Sequence, residues 1–361
     1  MNAPEASVTD AAAGGMSRIL LVRTSAIGDV VFASPFAEAL RHRYPGAFIA
    51  WLVEPGIEGL LRGSAAVDAL IVWPKQEWLG LLRARRYREL LGRVRAFSRE
   101  LKAYRFDTAI DLQSLLKSGV LTWLSGARRR IGLASREGSR WLMTEVVPAG
   151  GQPGQISSEY RHLALRLGLS DVDFLPRLSL EADVRARVRD RLHRMGLRPG
   201  GYAVFAPFTT RPQKHWPEAS WQRLALAVRH ELRLVPVILG GAAERAAGER
   251  LAESGVAFSL AGETGLVEAA ALVADAGLVI GVDTGLTHMG VAFARPTVAL
   301  FGSTRPYLDV GRANASVIWL GVACSPCRRQ PTCDGVFACL SGIEPERVVD
   351  EAKRVLQWER A

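Results

Sequence analysis

Residues 18 to 31 read RILLVRTSAIGDVV. The hydrophobic run from Arg18 to Arg23 has the length of a buried strand. The polar turn Thr24-Ser25-Ala26-Ile27-Gly28-Asp29 follows, and from Val30 to Leu40 the apolar residues recur at helical spacing. A strand, a loop and a helix in that order open an α/β unit. Further strand candidates are Phe48 to Val53, Ala69 to Trp73 and Thr108 to Leu112, separated by segments long enough for helices, so the spacing predicts a parallel sheet. PAGGQPGQISS (Pro148 to Ser158) is turn-rich and reads as a surface excursion, and helix-like DVRARVRDRLHRM precedes a second Pro-Gly break. From Tyr202 the alternation restarts: YAVFAPF, helix Pro217 to His230, LVPVILGG, helix Glu244 to Glu253, VAFSL, helix Leu266 to Ala274, GLVIGV, helix Leu286 to Ala294, TVALFG.

Two such arrays in 361 residues suit two domains, each with its own core. The expected fold class is α/β, with two doubly wound Rossmann-like domains facing across a cleft. The expected boundaries are a disordered leader over 1–16, a first domain over 17–180, a second over 181–342, and a closing helix over 343–361 packed back toward the first domain. Hydrophobic residues at 48% and charged residues at 23% exclude disorder, collagen and coiled coil as descriptions of the whole. No run approaches the ~18 apolar residues of a bilayer span. The leader lacks both a basic start and an apolar stretch, so the expected location is the cytosol.

Charge is less ordinary. A net +10 implies an anionic partner. Nine Lys and Arg between Leu81 and Arg105 face only Glu89 and Glu100, with Leu82, Leu90, Leu91, Val94, Phe97 and Leu101 interspersed at helical spacing. This predicts one amphipathic helix with an arginine face, which is either simply solvated or apposed to nucleic acid, a membrane surface or an acidic substrate. No recognised nucleic-acid-binding motif accompanies it.

In open parallel sheets, ligands bind beyond the carboxyl ends of the strands, so the loops after the strands carry the chemistry. In the first loop, Gly28 lets the backbone turn, and Asp29 is placed either as a general base or as a helix cap. Its glycine spacing fits neither a dinucleotide fingerprint nor a Walker loop. FTTRPQKHWP (Phe208 to Pro217) sets Thr209, Thr210, Arg211, Lys214 and His215 before a helix, an anion-binding combination, with Trp216 folding inward. VDTGLTHMG (Val282 to Gly290) opens a helix whose first-turn N–H groups, with Thr284, Thr287 and His288, suit a diphosphate. Asp283 there is alternatively a cap, and His288 a packed histidine. LGGAAE (Leu239 to Glu244) brings Glu244 within reach of a ribose diol. DLQSLLKSG (Asp111 to Gly119) presents Gln113, Ser114 and Lys117. Arg128, Arg129, Arg130, Arg136 and Arg140 add cations for an acidic acceptor. All four cysteines, Cys324, Cys327, Cys333 and Cys339, lie in CSPCRRQPTCDGVFAC, which is compatible with a small structural metal knot or with reduced thiols.

Taken in order, RILLVRTSAIGDVV, DLQSLLKSG, TTRPQKHWP and VDTGLTHMG resemble the lipopolysaccharide heptosyltransferases of glycosyltransferase family nine, from about Arg18 to the C-terminal helix. The TSAIGD, TTRPQKHW and DTGLTH forms are nearer heptosyltransferase I than II, while the cysteine cluster is similar to that of heptosyltransferase II. The resemblance implies a GT-B enzyme that moves L-glycero-D-manno-heptose from ADP-heptose to Kdo of the lipid A inner core, with inversion and without a metal or other cofactor. It implies Asp29 as general base and Lys214 as the catalytic cation. Thr209, Thr210, Lys214, Glu244, Asp283, Thr284, Gly285 and His288 would hold the donor, and Ser25, Gly28, Gln113, Lys117 and Arg136 the acceptor. It further implies peripheral contact with the anionic inner leaflet and no nucleic-acid partner. Two positions depart from the family pattern: Ser114 stands where Gly is frequent, and Gly240 where some members carry an aromatic residue.

Overall fold

The computed structural model describes residues 15–170, 173–327 and 330–358. Residues 1–14 of the expected leader and the end of the expected closing helix lie outside the described residues. Two six-stranded, all-parallel sheets form the frame. In the first, β1 (Arg18–Val22), β2 (Phe48–Val53), β3 (Ala69–Val72), β4 (Thr108–Asp111), β5 (Arg129–Leu133) and β6 (Glu145–Val147) lie in the order 3-2-1-4-5-6. In the second, β7 (Tyr202–Ala206), β8 (Val235–Ile238), β9 (Phe258–Ser259), β10 (Leu278–Val282), β11 (Thr297–Phe301) and β12 (Ala315–Trp319) lie in the order 12-11-10-7-8-9. The expected doubly wound pair is present.

The strands are apolar on both faces because helices cover both. In the first half the helices are α1 (Ile27–Arg43), α2 (Lys75–Arg83), α3 (Tyr87–Ala103), α4 (Leu116–Leu124) and α5 (Ser158–Arg166). Ile19 and Leu21 of β1 pack toward α1 and α5, while alternate residues Leu20 and Val22 pack toward α2, α3 and α4. The second half carries α6 (Ala182–Arg194), α7 (Glu218–Glu231), α8 (Arg245–Ala252), α9 (Leu266–Ala274), α10 (Gly285–Ala292), α11 (Ala338–Ser341) and α12 (Pro345–Trp358). Helices α6, α9 and α10 cover the face turned to the first half, and α7, α8 and α12 the other.

Four expectations change. The two cores are not separate: one apolar cluster runs from Phe36 and Leu60 in the first half to Leu272 and Met289 in the second, so the halves share a buried seam. Over its described residues, helix α12 packs on the second half rather than back on the first domain. Its buried Val348, Val349, Ala352 and Val355 join Trp221, Leu300 and Ile318 in the second-domain core, and the Trp216 indole N–H donates to the Ile343 carbonyl at 3.0 Å. The arginine-rich stretch is two helices, because the chain breaks after Arg83 and Arg85 adopts a left-handed φ of 55°. PAGGQPGQISS is more than a surface excursion. Asp309 N–H donates to the Gly154 carbonyl and Ile156 N–H to the Asp309 carbonyl, both at 2.9 Å, and Ile156 is buried against the second half.

Candidate active site

The carboxyl ends of β1 and β10 point at each other across the seam, which brings the N-termini of α1 and α10 together. A methyl group on Gly28 would lie 2.6 Å from Cδ2 of His288, and one on Gly285 would lie 2.7 Å from Ile27 Cγ2. Glycine at each position is therefore what lets the two helix starts meet. The Phe32 ring, one turn further along α1, packs 4.5 Å from the His288 ring.

Asp283, at the end of β10, is the hub of the second half. Its Oδ2 accepts from Lys214 Nζ and from Thr304 Oγ1, each at 2.7 Å, and its Oδ1 lies 3.0 Å from His288 Nε2. Burial pushes this carboxyl up, but the hydrogen bond and charge of His288, with Lys214, outweigh it and hold the group well below the ordinary range. An anionic carboxylate only accepts, so Nε2 carries the hydrogen toward Asp283. Nδ1, on the other side of the ring, lies 2.8 Å from Tyr307 Oη. Burial, with Asp283 nearby, keeps that phenol protonated. The ring is thus fixed at both nitrogens. The first-turn N–H groups of Gly285, Leu286 and Thr287 have no partner within the helix and face the seam with a partial positive charge. Lys214 reaches Asp283 from a short 3-10 turn, Pro212–Lys214, anchored by Trp216, which is buried as expected.

Asp29 occupies the facing position on α1. Of the two roles the sequence left open to it, the structure shows the cap: Oδ2 accepts from Ala26 N–H at 3.2 Å and pairs with Arg23 at 2.5 Å, while its side chain stays 45% exposed. Beside it, Glu54 at the end of β2 gathers Lys75 at 2.9 Å, Ser25 Oγ at 3.0 Å and Lys117 at 3.4 Å. Burial raises this carboxyl, yet Lys75, Ser25 and Lys117 bring it below its usual value. Ser25 and Lys117 are therefore neighbours. Gln113 is buried instead, and its Oε1 accepts from Thr24 N–H at 3.0 Å and Thr24 Oγ1 at 2.8 Å, so it pins the first loop. Arg136 is exposed, and its backbone N–H donates to the Ser114 carbonyl at 2.8 Å. Ser114 adopts φ 68°, the conformation glycine favours.

Thr209 and Thr210 lie in the loop after β7, where the Thr209 carbonyl accepts from His215 Nε2 at 2.8 Å. Glu244 sits on the neighbouring β8 loop, and the Phe208 ring fills the space that a side chain on Gly240 would take, 2.6 Å from its Cβ position. The four cysteines are free. Cys339 is buried, and burial followed by its neighbours Cys324, Cys327 and Cys333 pushes its thiol up. Among the described residues no group of three or more His, Cys, Asp and Glu side chains is arranged to hold a metal ion. Glu54, Lys75, Thr304 and Tyr307 carry no local motif, and the sequence reading gave them, and Arg23 within the first motif, no role. Arg23 and Glu54, each directly after a strand, had a signal that could have found them.

Two facing, all-parallel, doubly wound sheets with opposed strand ends are the architecture of the GT-B class of glycosyltransferase. The profile of glycosyltransferase family 9 (heptosyltransferase) matches residues 94–335. Lipopolysaccharide heptosyltransferase 1 of Pseudomonas aeruginosa is 30% identical, over 94% of this chain and 98% of that protein. Lipopolysaccharide heptosyltransferase 2 of Escherichia coli K12 is 26% identical, over 95% and 100%. The E. coli heptosyltransferase WaaC, solved with ADP-2-deoxy-2-fluoro heptose, superposes with a TM-score of 0.70 at 28% identity, over 92% of this chain and 99% of that one. The chain belongs to glycosyltransferase family 9. Among the described residues no helix is long and apolar enough to cross a membrane.

Proposed function

We propose that this chain transfers L-glycero-D-manno-heptose from ADP-heptose to Kdo of the lipid A inner core, with inversion, as a heptosyltransferase of type I acting in the cytoplasm at the inner membrane. The observation that carries the reading is the juxtaposition, through Gly28 and His288, of the Asp29 loop with the Lys214–Asp283–His288 group. The name and 30% identity of the Pseudomonas relative support the type. Asp29 takes the proton of the acceptor hydroxyl as that oxygen bonds to the anomeric carbon. The bond from that carbon to the diphosphate oxygen breaks, and its electrons leave on ADP. Lys214, Thr210 and the α10 N-terminus stabilise the departing charge, so fixed protein dipoles do the work of a divalent cation. Asp283 aims Lys214 and, with Thr284, Gly285 and His288, shapes the diphosphate and sugar end. Thr209 lines the loop, and Glu244 takes the ribose hydroxyls. Ser25, Lys117 and Arg136 meet the acceptor's carboxylate and phosphates, while Gln113 and Gly28 set the loop that carries Asp29.

The test is Asp29→Asn with ADP-heptose and a Kdo-containing acceptor. The variant is expected to fold and bind ADP-heptose by calorimetry while turnover, followed as ADP release and acceptor mass gain, falls by about 10²- to 10⁴-fold. Wild-type turnover in the variant would overturn the mechanism. Mass gain only on an acceptor that already carries a first heptose would move the chain to type II.

A further inference from the structure

Helix α4 turns Leu121 and Leu124 into the core and leaves Leu116, Val120 and Trp123, at i, i+4 and i+7, on its outer side. The adjoining 3-10 turn Ser139–Leu142 adds Trp141, which at 82% exposure is the most exposed large apolar side chain among the described residues. Arg140 stacks over it at 5.3 Å. The layer continues into α3, whose Ser98 Oγ donates to the Leu124 carbonyl at 2.9 Å and which carries exposed Tyr87 and Leu91. Exposed arginines, among them Arg83, Arg85, Arg88 and Arg95, run through the same layer.

Residues 81 to 145 hold fifteen Lys and Arg against six Asp and Glu, nine of the chain's ten net positive charges. Several of the six carboxylates are already engaged: Glu89 with Arg86, Glu145 with Arg129, Asp107 with the Ser17 and Arg18 N–H groups, and Asp111 inside the fold. Arginines around exposed tryptophan and leucine match the boundary of an anionic bilayer, where indoles sit at headgroup depth and cations meet phosphate. A second copy of this chain would set arginine against arginine.

We infer that the outer face of α2 to α4 with the Ser139–Leu142 turn docks on an anionic phospholipid bilayer, an inference that rests on the lipid-linked acceptor proposed above. Lys117 sits on α4 between Leu116 and Val120 and reaches inward to Ser25 and Glu54. Docking on this face therefore sets the acceptor side of the seam at the headgroup surface.

The full chain is tested by co-sedimentation with vesicles of phosphatidylcholine alone or with phosphatidylglycerol added. Wild type is expected on the anionic vesicles only. Trp123→Ser/Trp141→Ser and Arg83→Glu/Arg88→Glu should each weaken that binding by about tenfold or more. Leu226→Ser, on exposed α7 surface, should leave it unchanged. Both double variants should keep wild-type turnover on a deacylated, water-soluble acceptor and lose it on acceptor embedded in vesicles. The inference is overturned if wild type ignores anionic vesicles, if the tryptophan variant binds them as wild type does, or if that variant changes only the assembly state in sedimentation velocity. Failure of wild type on the soluble acceptor would refute the proposed transfer and leave the vesicle result to stand by itself.

Discussion

Asp111 is a carboxyl without exposed surface, held at the end of β4 by Gln113 N–H at 2.9 Å, Ser114 N–H at 3.2 Å and Ser118 Oγ at 3.0 Å. Burial, only partly opposed by these bonds and by Arg23, pushes its pKa up to about 6 from the ordinary 3.8. The folded chain therefore keeps this proton to higher pH than the unfolded chain does. Its contribution to stability is full below about pH 4, falls as pH rises toward about 6, and is flat above that. Across that window wild type is expected to lose about 3 kcal/mol from this group. Asp111→Asn, which copies the protonated acid, should abolish the loss, as read by denaturant unfolding at a series of pH values. Asp29, Lys214, Asp283 and His288 stood out in the sequence because each lies in the loop, or in the first helical turn, that follows a strand. Glu54, Lys75 and Tyr307 were not, since their partners come from elements far away in the chain. Gln113 shows a second use of such a position: a polar residue at a strand end signals a ligand, and here its Oε1 holds Thr24 of the neighbouring loop.

Helix α12 shows how one element can be read correctly and placed wrongly. The sequence predicted a closing helix over 343–361, and the described helix spans Pro345–Trp358, but a helical pattern says nothing about which sheet it covers. Burial of Val348 in the second-domain core stabilises that half. Val348→Ala is expected to cost about 2 kcal/mol in chemical denaturation, with the transition of the second half shifting. An unshifted transition there would put the helix on the wrong half. Strands β5, β6 and β12 escaped the sequence reading for physical reasons. Arg129 and Arg130 mask the start of β5, β6 has three residues, and β12 is an edge strand with a half-buried face. The break between α2 and α3 was equally hidden, because arginine gives no sign of the left-handed turn it adopts at position 85.

At the scale of the whole molecule, the parallel arrays and their order in the chain could be read directly from alternating strand and helix patterns, whereas the shared seam could not. It arises from α1 and α5 meeting α6, α9 and α10, and no local pattern distinguishes a helix face buried under its own sheet from one buried against a second domain. Ile156 belongs to that class, buried against Val291, Phe301 and Tyr307. Ile156→Ala is expected to lower the unfolding free energy by about 2 to 4 kcal/mol and to speed amide exchange at residues 307 to 310 while leaving α12 unaffected. Denaturation and hydrogen-exchange mass spectrometry check both parts. The paired bonds of Asp309 with Gly154 and Ile156 reach beyond stability. The polypeptide is fastened to its other half there, and again where it crosses between α5 and α6. Two fixings define an axle. Any opening of the halves that keeps both fixings is then a swing about that line, and it carries the Asp29 loop past the Lys214–Asp283–His288 group along one arc.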